Sequence, residues 1–159
     1  MRITIVCVGK IKEKYFADAI AEYRKRLTRY CKLDIIELAD EKTPDGASLA
    51  QEQQIKEKEG ERILRSIRDT SFVVALAIEG KKKTSEKLAA FIEQKGISGE
   101  SDLTFVIGGS LGLDTRVLHR ADELLSFSDM TFPHQLMRVV LLEQIYRSFR
   151  IIHHEPYHK

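Results

Sequence analysis

Residues 103–120 read LTFVIGGSLGLDTRVLHR. The first five are an apolar run of the kind found in strands buried on both faces. A glycine-rich turn follows, and then a short helical pattern from about Asp114. This strand–turn–helix unit decides the fold, because versions of it recur along the chain. Residues 3–8 (ITIVCV) read as a buried strand. Residues 12–29 are amphipathic, with Tyr15, Ala19, Ile20, Tyr23 and Leu27 at helical spacing. A second strand covers 33–38. Residues 40–48 hold Pro44 and Gly46 and form a loop, and 50–67 is a charged helix whose faces are mostly solvated. Residues 72–78 are too apolar for an edge strand. A helix over 85–94 is capped by Thr84 or Ser85, a short strand covers 123–127, and a long helix spans 133–152 with Pro133 in its first turn.

This βαβα alternation predicts an α/β protein with a mainly parallel sheet and helices on both faces. No repeat, low-complexity tract or linker divides the chain, so 1–159 reads as a single domain. Ligands of such sheets sit outside the carboxyl ends of the strands. Three loops fall there in the second half: IEGKKKTS (78–85), IGGSLG (107–112) and FSDMTFPH (127–134).

The composition is 43% hydrophobic and 31% charged, that of a globular protein. No apolar run approaches the ~20 residues of a membrane span, and the amino terminus lacks the pattern of a signal peptide. Cys7 and Cys31 form neither a CxxC pair nor a disulfide framework, and the expected compartment is the cytoplasm. A net charge of +2 does not promise the many phosphate contacts of non-specific nucleic-acid binding.

IEGKKKTS fails the Walker pattern, because Ala75 stands where its first glycine is needed. IGGSLG has the context of a dinucleotide loop but not its spacing, since Ser110 occupies the second glycine position. Gly108 and Gly109 require either a tight turn or the close approach of a ligand. In FSDMTFPHQLMR, Ser128, Asp129 and Thr131 offer polar groups, while Phe127, Met130 and Phe132 supply a wall suited to a flat heterocycle. An ordinary strand–loop–helix junction is the competing reading. The last helix is apolar nearly all round, which calls for burial, in part against a second copy of the chain. Glu143, Arg147 and Arg150 share one stripe of it, and an ion pair within the helix explains the first two. His134, His153, His154 and His158 lack a metal-ligand spacing, so no metal is expected.

Read together, IEGK (78–81), FVIGGSLGL (105–113), LSFSDMTFPHQLMRVVLLEQIYRSFRI (125–151) and the terminal EPYHK resemble the bacterial 23S ribosomal RNA pseudouridine N3-methyltransferases, the RlmH family, small members of the SPOUT class. VGKIKEKY (8–15), EY (22–23) and DEK (40–42) also fit, so the resemblance covers essentially the whole chain. It implies a C-terminal trefoil knot, an exception to the rule that chains do not thread loops. It implies S-adenosyl-L-methionine as cofactor, held by Leu76, Gly108, Phe127, Ser128, Asp129, Met130, Thr131 and Phe132, with Gly109 in the same turn. It implies a homodimer whose last helix packs at the interface, and a substrate in the helix 69 region of 23S rRNA within the assembled ribosome.

For that reaction His158 is the first candidate base. Tyr157 suits stacking on the target base, and Arg147 stabilises charge on its carbonyls. His134 and Glu143 are further candidates. Lysines of the 78–85 loop and Arg24, Lys25, Arg26 and Arg29 are candidate phosphate contacts, with ordinary surface charge the equal alternative. The chain departs from the family in having His153 and His154 where a basic residue and a glycine are usual. That removes an easy hinge at positive φ. Deleting Glu155 to Lys159 is expected to spare folding and cofactor binding and to abolish transfer. A SPOUT enzyme acting on another RNA, such as a tRNA ribose 2′-hydroxyl, and a non-catalytic ribosome-binding factor remain alternatives at this point.

Overall fold

A computed structural model describes residues 1–159. The elements in chain order are β1 (Arg2–Val8), α1 (Lys14–Leu27), β2 (Lys32–Leu38), α2 (Leu49–Ser66), β3 (Phe72–Lys82), α3 (Ser85–Ile97), β4 (Asp102–Ile107), α4 (Thr115–Arg120), β5 (Glu123–Ser126) and α5 (His134–Ile152). The strands form one sheet in the order β2-β1-β4-β3-β5, and every pairing is parallel.

The period-2 geometry of the strands sorts their side chains between two cores. Ile3, Ile5 and Cys7 of β1, Val74 of β3 and Leu103, Phe105 and Ile107 of β4 face α1, α3 and α5. Val6 and Val8, Val73 and Ala75, and Val106 face α2 and α4. Both faces are therefore covered, as the near-continuous apolar runs required. No helix is long and apolar enough to cross a membrane.

Local chemistry sets the boundaries. Ser48 and Gln51 close a capping box on α2. Thr84, not Ser85, caps α3 by accepting the Lys87 amide at 3.2 Å. At the amino-terminal edge of the sheet, Arg68 forks onto both oxygens of Asp102 at 2.8 Å.

The largest difference from the sequence reading lies in β3. The strand continues to Lys82, because the 78–85 segment is not simply a loop. Leu125 of β5 stands opposite both Leu76 and Lys81, so residues 77–80 bulge out between two rungs on one partner residue. Gly80 makes this close pass feasible. A Cβ there would lie 2.6 Å from the Leu124 carbonyl carbon, inside any tolerable contact.

The tail folds back on α1 and α5. Glu155 accepts a hydrogen bond from the Tyr30 hydroxyl at 2.6 Å and pairs with Arg150. Its amide donates to the Arg150 carbonyl at 2.9 Å, and the His154 amide donates to Ile151 at 3.0 Å. These two bonds define a Schellman stop, whose key position takes a left-handed conformation and usually carries glycine. His154 fills it at φ 54°. The chain thus turns without the glycine, at the expense of a strained histidine.

Candidate active site

A cleft of about 510 Å³ opens at the carboxyl ends of β3, β4 and β5. Leu76, Ile107 and Leu125 mark where the three strands deliver their last core side chains into it. The bulge after Leu76 forms one wall. The GGSLG turn forms another, closed by the Gly112 amide donating to the Gly109 carbonyl at 3.1 Å and by Gly112 at φ 85°. The missing Cβ atoms of Gly108 and Gly109 face Leu113 and Glu59. Those glycines let the turn pack on its own neighbours, which is the tight-turn alternative. The third wall is the loop after β5. The Ser126 hydroxyl donates to the Ser128 carbonyl at 3.1 Å, and the Ser128 hydroxyl accepts the Met130 amide at 2.9 Å. This curl turns Phe127, Met130, Thr131 and Phe132 to the cleft, with Met130 and Phe132 exposed at its rim.

Leu76, Gly108, Gly109, Phe127, Ser128, Met130, Thr131 and Phe132 all line this cleft. Asp129 does not. Its side chain is 81% exposed and turns away from the cleft to pair with Lys82 at 2.6 Å. That placement corrects the expectation that its side chain lines the cofactor pocket. Among the catalytic candidates only His134 lines the cleft. It opens α5 above Gly9 and has no protein hydrogen-bond partner. Burial first, and Arg138 second, push its pKa below the usual imidazole value, so the ring is neutral at pH 7.

Glu143, Arg147, Tyr157 and His158 gather elsewhere, against the later turns of α5. Arg147 donates to Glu143 at 2.6 Å, and its guanidinium lies 4.7 Å from the centre of the Tyr157 ring. The Tyr157 hydroxyl donates to Glu143 at 3.0 Å. Burial and that carboxylate push its pKa to about 12, so it stays a donor and is no base. His158 Nδ1 sits 3.2 Å from Arg147 Nη1, and Nε2 sits 2.8 Å from Glu86 of α3. A guanidinium only donates. The neutral ring that satisfies both contacts therefore carries its proton on Nε2 and presents the Nδ1 lone pair beside Arg147.

The family model described as "Predicted SPOUT methyltransferase" matches residues 1–158. The chain is 70% identical over 159 residues, the full length of both chains, to the ribosomal RNA large subunit methyltransferase H of Bifidobacterium animalis subsp. lactis. It is 67% identical to the protein of that name from Bifidobacterium adolescentis and 62% identical to that from Clostridium beijerinckii, again over the full length of each. The chain belongs to this SPOUT methyltransferase family. Membership implies the C-terminal trefoil knot and makes the chain a methyltransferase, with a methyl donor to accommodate.

As a SPOUT methyltransferase the molecule holds several residues that sequence reasoning passed over. Arg138 is the largest, at 1% exposure inside α5. It donates to the Val8 and Gly9 carbonyls at 2.9 and 2.6 Å and to Glu37 at 2.8 Å. It thereby ties the end of β1 to β2 under His134. A lone arginine within 136–142, otherwise apolar, was the signal. Glu59 (5% exposed), on a helix face read as solvated, lies under the GGSLG turn against Gly109, and Asp114 (3%), just ahead of α4, packs on Gly60. Glu59 accepts the Glu41 amide at 2.9 Å, and desolvation raises its pKa. Here the signal was Gly60. A glycine inside a helix costs ~1 kcal/mol and asks for a packing reason, and its absent Cβ would fall 2.7 Å from Asp114. Of the lysines expected to meet phosphate, Lys82 and Lys83 are engaged by Asp129 and Glu123. Arg26 and Arg29 pair with Glu22 and Glu155. Lys81, Arg24 and Lys25 have no such ion-pair partners.

Proposed function

We propose that the cleft binds S-adenosyl-L-methionine and that the enzyme transfers its methyl group to N3 of a pseudouridine in 23S ribosomal RNA. The substrate is the assembled ribosome, in the cytoplasm, and the working form is a homodimer of this one-domain chain. The relatives' name, a large-subunit ribosomal RNA methyltransferase, supports the substrate class. The cleft suits the cofactor chemically: apolar and sulfur-bearing walls for an adenine ring, and strand-end loops of the kind that hold nucleotides in parallel sheets. Bound there, the cofactor supplies an electrophilic methyl group on a sulfonium.

The observation that carries the reading is the Arg147–His158 pair. Pseudouridine N3 bears a proton and is flanked by two carbonyls. Its edge thus presents a donor beside an acceptor. In the free chain Arg147 Nη1 donates to His158 Nδ1 at 3.2 Å; a base that parts them meets the complementary acceptor and donor. A base seated there gives its N3 proton to Nδ1, while Arg147 stabilises charge on the adjacent carbonyl oxygen. Glu86 holds the ring by its Nε2 proton, and Tyr157 offers a face for stacking. His134, at the cleft, is the alternative base.

The homodimer is supported by distance. From His134 to Arg147 is thirteen residues of α5, roughly 20 Å at 1.5 Å per residue. Methyl transfer needs the reacting atoms at about 3–3.5 Å. Neither Arg147 nor His158 lines the cleft of its own chain, so a tail completes a cleft by meeting that of a second copy. The modest net charge of +2 suits a structured target engaged by two protomers.

Labelled S-adenosylmethionine incubated with assembled ribosomes, isolated subunits and naked RNA, followed by mapping of the modified base, tests the proposal. Label is expected with ribosomes alone, on a pseudouridine. Label on a ribose overturns the N3 assignment, and no thermal shift at saturating cofactor overturns the cofactor reading. Deleting Glu155 to Lys159 should abolish transfer and keep cofactor binding. Because Glu155 and Tyr157 pack on Tyr30 and Tyr146, it also lowers the melting point, contrary to the sequence expectation.

A further inference from the structure

The cleft has an uneven inventory of charge. Its ionisable lining residues are Lys56, Glu79 and His134, and His134 is neutral at pH 7 for the reasons given above. Lys56 is therefore the one permanent cation facing it. It projects from α2, is half-buried, and forms no hydrogen bond or ion pair with the protein. A partner stands within reach on its own helix. Glu52 stands four residues before Lys56, the favourable order for an i,i+4 pair, yet the two do not pair. Along the same helix the 53–57 and 61–65 pairs do close, at 3.2 and 2.5 Å. Lys56 instead lines the cleft that the turn formed by residues 108–113 and Leu118 also line.

We infer that Lys56 anchors the carboxylate of the cofactor's methionine moiety, and so selects amino-acid-bearing adenosyl compounds over those lacking the carboxylate. The inference rests on the proposed cofactor. A carboxylate brought into a half-enclosed, largely apolar cleft loses hydration and needs a partner. The glycine turn supplies backbone groups, but Lys56 alone supplies an opposite charge. The pairing adds no chemistry to the transfer step. It fixes one end of the ligand, leaving the sulfonium and the adenine to be placed by the loops after β3 and β5.

The test compares two ligands that differ in that carboxylate only, S-adenosylmethionine and decarboxylated S-adenosylmethionine, by calorimetric titration of the full-length protein and of Lys56→Met and Lys56→Arg. Lys56→Met keeps the apolar stem and removes the charge. It is expected to weaken S-adenosylmethionine about tenfold, as for loss of one charge-assisted hydrogen bond, and to leave the decarboxylated compound within twofold. Lys56→Arg is expected to retain most of the preference. The wild-type affinity for S-adenosylmethionine, but not for the decarboxylated compound, should fall as salt rises. Equal weakening of both ligands in Lys56→Met, or no change in either, overturns the assignment and leaves the cofactor reading standing. A wild-type protein that binds neither ligand overturns both.

Discussion

Replacing His154 by glycine should stabilise the protein. His154 is the left-handed residue of the stop that ends α5, at φ 54°. A residue with a Cβ in that region carries a penalty of roughly 1–2 kcal/mol, and glycine carries none. Glycine gives back about 0.5–1 kcal/mol through its greater freedom in the unfolded chain. No contact is lost, because the His154 side chain is exposed and makes no hydrogen bond. The net gain is therefore about 0.5–1 kcal/mol. For a chain of this length, 1 kcal/mol moves the melting point by about 2–4 °C, so a rise of about 1–4 °C is expected. The assay is thermal unfolding at fixed protein concentration, since any self-association makes the melting point concentration-dependent, with denaturant titration to check that the m-value is unchanged. His154→Ala is the control, since it removes the imidazole but keeps the Cβ, and it should not be stabilised. A glycine variant that melts with or below the wild type would show that the histidine is held there by something other than this backbone turn.

Gly80→Ala should push β3 from β5, where the added Cβ meets the Leu124 backbone at 2.6 Å. It should lower the unfolding free energy by about 1–3 kcal/mol, read as a lower denaturant midpoint, and weaken cofactor binding with it. An unchanged midpoint would mean that the bulge relaxes freely. Arg138→Met should cost about 3 kcal/mol or more, because it strands the Val8 and Gly9 carbonyls that Arg138 now satisfies. Stability within 1 kcal/mol of wild type would refute that accounting. Asp102 has its pKa held below 3.8, chiefly by its bonds from Arg68. A depressed carboxylate stabilises the fold above its unfolded pKa and loses that contribution as pH falls through the folded one. Asp102→Asn should therefore cost about 1–2 kcal/mol at pH 7 and flatten the loss of stability below about pH 4. A parallel acid limb in the variant would count against the linkage.

Much of this architecture was legible because buried parallel strands write themselves as uninterrupted apolar runs. Residues 3–8 and 103–107 could be placed, and so could the loops that follow the strands, whose sequence is the family's own. What escaped depends on contacts distant in sequence. Nothing local in IEGKKKTS says that β5, already paired with residues 74–76, will pair again at Lys81 and Lys82 and draw these lysines into a strand. The period of a helix marks which face is buried but not that a charge is buried with it, so Arg138 vanished into an apolar helix. Glu59 likewise vanished into a charged one. Asp129 looked equivalent to Ser128 and Met130, and only the curl set by Ser126 and Ser128 separates them. The tail's histidines hid a backbone conformation, since residue type favours but does not dictate a positive φ.

The strand order has a consequence for how the chain is made. β4 lies between β1 and β3, so both earlier strands wait with an open edge until residues 102–107 emerge. For β1 the wait spans over ninety residues, roughly 5–20 s at ordinary rates of synthesis. Its waiting edge is ITIVCV, an uncharged segment with the composition that invites pairing with other chains. The nascent protein is thus most vulnerable midway through translation. A pause placed before β4 should raise aggregation far more than one placed after it.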